Sequence, residues 1–401
     1  MARRDPSGPS PFRASRARAS AIAGGAAVIL AAAATVVALA VGHSGAVGHS
    51  GAHHSISRAA RLIASTCSGP AGAAYVADAG WDGFSAIDTS TCKVIQTYNV
   101  GDTQVPGDAG DYNYSSTDEG VAIHGSTLYF ADTGTSNVAV IDASSLDPTN
   151  YNPAEKLVNV GLFPQDLAVT PDGSQVWVAD TGPQASPASP SGVSVISTAT
   201  DTVTASLSLS GQPSQIAFSP SGTTAYVVTS EGLWIYRTAT GKVVSVVRGL
   251  GDPRGVAVSP GGATVYVTDT EQGTVAVINA ATGRIARMIK VGQLPWQVVV
   301  SADGQTVYVA NPDSDTISVI NAAAGTVSST IPVTGDPDTL ALTPNGQQLW
   351  IGQNTAALVT VVDTATNTAI GSINLGGTEA QSGDGYEPTG ITLTSTPTPG
   401  S

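Results

Sequence analysis

The chain has 401 residues, with 41% hydrophobic, 5% aromatic and only 11% charged side chains, against roughly 25% charged in an average soluble domain. Residues 1–40 hold five Arg and one Asp, so the remaining 361 residues carry 11 Lys and Arg against 29 Asp and Glu, a balance of −18. Such a body repels phosphate backbones, which excludes nucleic acid as a partner, and its richness in Val, Thr, Ser and Gly favours strands and turns over helices.

The N-terminus reads as an address. Arg3, Arg4, Arg13, Arg16 and Arg18 precede an uncharged stretch over residues 21–41. As a helix it would span about 31 Å, enough for a bilayer core. The Arg cluster of residues 1–20 is expected to stay cytoplasmic and to send everything after it outward. Two fates are expected: an uncleaved single-pass anchor at the outer face of the membrane, or a signal peptide cleaved after Ala40 in Ala38-Leu39-Ala40, giving a secreted protein. Residues 42–66 follow as a His/Gly/Ser linker holding four of the five histidines, and nothing there orders them into a metal site.

The remainder repeats. Leu167-Ala-Val-Thr-Pro-Asp-Gly173 leads to Val176-Trp-Val-Ala-Asp180. The same form recurs at Ile216–Gly222, Val256–Gly262, Val298–Gly304 and Leu340–Gly346. Ser/Thr-Pro-Asp/Asn/Ser-Gly is a tight-turn signal, because Pro presets φ and Gly accepts positive φ. The aromatic residue of the strand that follows is Tyr75, Tyr129, Trp177, Tyr226, Tyr266, Tyr308 and Trp350, seven copies spaced 54, 48, 49, 40, 42 and 42 residues apart. A blade of four strands needs about 40–45 residues. A Val-Ile-Asp type ending, as in Val140-Ile141-Asp142, closes the third strand, its carboxylate placed to accept backbone N–H groups of the next turn. Blade 4 departs from it with Trp234-Ile-Tyr-Arg237.

These motifs resemble the YVTN-type β-propeller repeats, which are WD40-like in architecture, most closely at Tyr308-Val-Ala-Asn311 and Tyr266-Val-Thr-Asp269. The predicted fold class is all-β: a seven-bladed β-propeller of four-stranded antiparallel blades over residues 67–394, before a disordered tail at 395–401. Blade 1 lacks room for an inner strand ahead of Tyr75. Glu387-Pro-Thr-Gly-Ile-Thr-Leu-Thr394 looks like that missing strand, so a C-terminal strand is expected to complete blade 1 and remove the open edges.

Repeat position sorts the charges. Interblade loops and second-to-third-strand turns share one face, the top, and 21 of the 29 acidic residues fall there. The candidate ligand-binding face comprises Asp102, Asp108, Asp111, Asp132, Asp180, Arg254, Asp269, Trp296, Asp313, Asp336 and Asp338, with Arg254 read as its one clear cation. Most other Lys and Arg are assigned to the bottom and the outer strands, so the bottom is expected to be basic and to face the membrane. A focused negative face attracts a cationic ligand or a protein partner. Calcium enters only through the paired oxygens of Asp313-Ser-Asp315 and Asp336-Pro-Asp338, and no Ca²⁺ loop of standard spacing occurs. Cys67 and Cys92 fall at one edge of blade 1 and are expected to form a disulfide.

The sequence shows no nucleophile elbow, no Cys/His zinc set, no haem motif and no phosphate loop, so no catalytic residue, metal or cofactor is assigned. His124 reads as a turn residue. Propellers of the resembled kind include lactone-hydrolysing and metal- or haem-bearing members, which depend on His, Arg or Glu at the central channel. Here only Arg254 and the acidic residues are placed for that. The expected function is a binding or scaffold module acting through the acidic top. The alternatives are a lactonase-like hydrolase and a cell-envelope structural or adhesion protein.

Overall fold

The computed structural model describes residues 71–78, 83–100, 120–153, 155–182, 191–375 and 387–395. The segments at 1–20, 21–41 and 42–66, with Cys67, lie outside them. Among the described residues no helix is long and apolar enough to cross a membrane.

Seven four-stranded antiparallel sheets form, in the order the repeats require. Blade 2 runs through Val121–His124, Thr127–Asp132, Asn137–Asp142 and Glu155–Asn159. Blade 3 holds Pro164–Val169, Gln175–Asp180, Gly192–Ser197 and Thr202–Ser208. Blade 4 holds Pro213–Phe218, Thr224–Thr229, Gly232–Arg237 and Lys242–Val247. Blade 5 follows with Pro253–Val258, Thr264–Asp269, Thr274–Asn279 and Arg284–Lys290. Blade 6 has Val298–Val300, Thr306–Asn311, Thr316–Asn321 and Thr326–Pro332. Blade 7 has Pro337–Leu342, Gln348–Gln353, Leu358–Asp363 and Thr368–Asn374.

Blade 1 is built from both ends of this region. Its inner strand is Pro388–Thr394, paired antiparallel with Ala73–Asp78 so that Tyr75 faces Thr392 and Val76 faces Ile391. Gly83–Asp88 and Lys93–Asn99 complete it. The Pro388–Thr394 strand also touches the inner strands of blades 7 and 2, which closes the ring as the sequence predicts.

Turn chemistry explains the regularity. Gly173, Gly222, Gly262, Gly304 and Gly346 have φ of 70°, 69°, 72°, 70° and 68°. Each donates its N–H to the carbonyl three residues back, at 2.7–2.8 Å, closing the first-to-second-strand turn. Gly173 is required twice over, since a Cβ there would run into the His124 ring of the preceding blade. His124, read from the sequence as a turn residue, is instead the exposed last residue of the first strand of blade 2, paired with Thr127 just before the turn. At the third strand's end, Asp88, Asp142, Asn279, Asn321 and Asp363 accept turn N–H groups at 2.8–2.9 Å.

The core lies between blades. Second strands are buried almost end to end, as in Tyr75–Asp78 and Val176–Asp180, because a neighbouring blade covers each face of the sheet. Trp177 and Trp350 are fully buried, with Nε1 on the amide oxygens of Gln175 (3.0 Å) and Gln348 (3.2 Å). A buried indole needs such an acceptor. Fourth strands alternate exposed and half-buried residues, as an outer edge should.

Candidate functional site

Inner strands run from the top towards the bottom, so their first residues surround the top of the central channel. Six of them, or the segments that lead into them, begin alike: Pro164-Gln-Asp, Pro213-Ser-Gln, Pro253-Arg-Gly, Pro295-Trp-Gln, Pro337-Asp-Thr and Pro388-Thr-Gly. The second and third residues after this start converge on a cavity of about 80 Å³ at the channel mouth. It is lined from all seven blades, by residues including Gln165, Asp166, Ser214, Gln215, Arg254, Trp296, Gln297, Asp338, Thr389 and Gly120.

An inner strand has no neighbour on its axial side, so its inward N–H groups need other acceptors. The blade before supplies them. Asp166 Oδ2 accepts from Ile216 N at 2.8 Å, Gln215 Oε1 accepts from Val256 N at 2.6 Å, and Gln297 Oε1 accepts from Leu340 N. Where the third residue is Gly255, Thr268 bridges instead. Its Oγ1 accepts from Gly255 N at 2.7 Å and donates to Trp296 O at 2.6 Å. A side chain at position 255 would collide with that same carbonyl.

These bonds fix the chemistry the mouth presents. Gln215 and Gln297 line the cavity with their oxygens held by backbone, and neither Nε2 makes a hydrogen bond within the protein among the described residues. Arg254 is half-buried, with Nη2 3.2 Å and Nε 3.3 Å from Asp252 Oδ2, and its guanidinium lies over the Trp296 ring, 5.0 Å from the centroid. Asp338 Oδ2 accepts from the Asn354 amide at 3.1 Å. The ring of Gln165, Asp166, Ser214, Gln215 and Gln297 escaped the sequence reading. Its signal was the recurrent Pro followed by two polar or glycine residues at each inner strand's start.

The acidic residues divide by depth. Asp132, Asp180 and Asp269 end second strands and are 2%, 4% and 0% exposed. Asp132 holds Thr135 N (3.0 Å) and Asp269 holds Gly251 N (2.8 Å), so both tie loop backbone to the blade. Asp180 Oδ2 accepts from Ser194 Oγ at 2.6 Å, and burial pushes its carboxyl up to about 7 against that hydrogen bond. Asp313 is exposed, Asp336 is half-buried with φ 55°, and Asp315 accepts from Gly335 N at 2.9 Å. Asp102, Asp108 and Asp111 lie outside the described residues. Among those described, no group of three or more His, Cys, Asp and Glu is arranged to hold a metal ion. Cys92 is buried in the third-to-fourth-strand turn of blade 1.

Two charge assignments need correction. Arg254 is not the one cation at the top. Arg248 follows the fourth strand of blade 4 and pairs with Glu231 at 3.5 Å, and Lys290 ends the fourth strand of blade 5 with Nζ 2.8 Å from Gln272 O. Fourth strands run upward, so long side chains at their ends reach the top turns. The bottom is not basic as a whole. It carries Asp88, Asp142, Asp147, Glu155, Asp172, Asp201, Asp303 and Asp363 against Lys93, Lys156, Arg237, Lys242, Arg284 and Arg287, a balance of −2.

The choice-of-anchor I domain family model matches residues 68–303, more than half of the chain. The chain belongs to the choice-of-anchor I domain family. The match ends in the first-to-second-strand turn of blade 6, and the fold continues for the other three strands of blade 6, all of blade 7 and the closing strand. No curated protein matches this family member. Among solved structures it is similar to a Kuenenia stuttgartiensis hydrazine synthase chain, at 18% identity and TM-score 0.59, covering 71% of this chain and 90% of that one. A functionally unknown protein from Desulfotomaculum acetoxidans DSM 771 is similar at 17% identity and TM-score 0.62, covering 80% and 98%. Likeness at these identities shows the fold alone, and this fold hosts many unrelated functions.

Proposed function

We propose that this choice-of-anchor I domain protein is an exported, membrane-tethered binding module that grips a partner through its top face. What carries the reading is the channel mouth. All seven blades contribute to it, and its charged groups are already engaged: Asp166 by Ile216 N, Asp338 by Asn354, Arg254 by Asp252. A carboxylate held as an acceptor of backbone N–H is a poor general base, because protonation would break the bond that positions it. The mouth instead offers the amide donors of Gln215 and Gln297 beside the Trp296 ring. About 80 Å³ is far below the roughly 300–1,000 Å³ of a site enclosing a substantial small molecule. It suits the tip of a partner's side chain.

Around the mouth, Glu271, Asp313 and Asp336 form an acidic rim that steers a partner carrying cationic groups. The tether over residues 21–41 and its outward-facing propeller fit the family's description as an anchored domain. Within that family the Tyr-Val-x-Asn/Asp strands favour a YVTN-type repeat.

Capture from an extract of the producing cells tests the reading. The full chain is compared with E271Q/D313N/D336N, checked for an unchanged thermal midpoint, and with W296A at a temperature where that variant is fully folded. Partners retained by the wild type and lost by both variants support top-face binding. Identical capture by all three overturns it.

A further inference from the structure

The lower rim of blades 4 and 5 carries a charge pattern that the top-face reading leaves unused. Blade 4 places Arg237 where most other blades place a capping Asp or Asn, and its turn closes on Gly241 at φ 59° without a side-chain cap. Arg237, Lys242, Arg284 and Arg287 are all exposed on these two consecutive blades, and no carboxylate lies on their lower side. The other five blades hold all eight lower carboxylates against Lys93 and Lys156. The bottom is therefore split, +4 over two blades and −6 over five.

None of the four cations forms an ion pair among the described residues, whereas Lys156, Arg248 and Arg254 do. Arg287 donates to Ala324 O at 2.9 Å, a neutral acceptor that leaves its charge uncompensated. Exposed aliphatic residues sit on the same fourth strands: Val243 at 45%, Val244 at 61% and Met288 at 38%. Uncompensated cations around bare aliphatic surface mark an interaction patch.

We infer that this patch seats the top rim of a second copy of the chain, head to tail. The complement is on the same molecule. Leu294, 36% exposed, lies in the top loop between blades 5 and 6, and Gln293 N donates to Ser314 Oγ at 2.6 Å, holding that loop against the acidic turn of Asp313 and Asp315. Base with aliphatic on one side meets acid with aliphatic on the other. The two patches differ, so the contact is heterologous and propagates as an open chain of wheels. Beyond a Debye length of about 8 Å the like net charges of two copies are largely screened, so the local match of the two patches decides the contact. The inference rests on the top-face reading and names its partner.

Sedimentation velocity on the detergent-solubilised full chain tests it with two variants at exposed positions. R237E/K242E/R284E reverses the lower patch and E271K/D313K reverses the rim. The wild type is expected to grow beyond a dimer as concentration rises. Each variant alone is expected to stay monomeric, since its two patches then carry the same sign, and an equimolar mixture to assemble again, since opposite charges meet at both contacts. Should the triple variant fold poorly, R237E/R284E is expected to weaken assembly at an unchanged thermal midpoint. A wild type that stays monomeric, or a mixture that does not pair, overturns the inference. If capture of another partner still depends on the top face, only the inference falls; if it does not, the top-face reading falls too.

Discussion

The guanidinium of Arg254 lies over the indole of Trp296, 5.0 Å from the ring centroid, and joins blade 5 to blade 6 across the channel mouth. Asp252 holds the same guanidinium from the other side. The pair sets one wall of the mouth, so removing either partner should loosen the other. R254A is expected to lower stability by about 0.5–1 kcal/mol, the size of a half-exposed cation–π contact. It should also shift tryptophan emission to the red as Trp296 gains water. Thermal unfolding followed by fluorescence reads both, and W296F should retain most of what W296A loses.

Closure makes a larger demand. Deleting residues 387–401 removes the inner strand of blade 1 and bares the hydrogen-bonding edge of Ala73–Asp78. It also removes the Glu387 N bond to Asp78 Oδ1, 2.9 Å in the intact ring. The truncated chain is expected to aggregate or to unfold at least 10 °C lower, judged by an effect of several kcal/mol. An unchanged melting temperature would show that the ring does not depend on this strand.

The interblade amide bonds can be removed one at a time. Q215L and Q297L each leave one inner-strand N–H without its acceptor, that of Val256 or Leu340. Each should cost about 1–3 kcal/mol, with the urea m-value unchanged.

Asp180 gives a pH dependence of definite sign. Its carboxyl titrates near 7 in the folded protein against 3.8 in the open chain, because burial disfavours the charge. The stability it allows is fully present below about pH 4 and is lost as pH rises through 7. D180N removes that loss. The variant should match the wild type at pH 4 and exceed it at pH 8, by on the order of 1–4 kcal/mol. The turn carboxylates act oppositely. Asp172 is drawn down to about 2 by Thr170 and Ser174, so its contribution is present above pH 4 and is lost as pH falls towards 2.

The expected Cys67–Cys92 bridge would pin the linker to blade 1. Intact mass after non-reducing alkylation should show no added label. Two labels would refute the pairing.

The turns and the closing strand were legible in the sequence because each rests on local backbone chemistry. Gly173 and its four counterparts need positive φ, and an orphan strand at residues 387–394 could pair only with the incomplete blade. Depth was not legible. Asp132, Asp180 and Asp269 sit at turns, where carboxylates are ordinarily solvated, and only the packing of loops over the blade shows them buried. Sidedness failed where side chains are long: Lys290 lies on an outer strand yet reaches a top turn. The ring at the channel mouth was missed because its residues alternate between Gln, Asp and Gly. A glycine and a bridging amide solve the same contact between blades by different means, and no shared residue type marks them.

Site-specific photocross-linking tests top-face binding most directly. A photoreactive residue replaces Ser214 at the channel mouth, or Asp142 at the bottom of blade 2, in the full chain made by its own cells. The mouth position is expected to give a discrete cross-linked adduct that W296A abolishes, with none from position 142. Adducts from both positions alike, or from position 142 alone, would contradict the assignment of binding to the top.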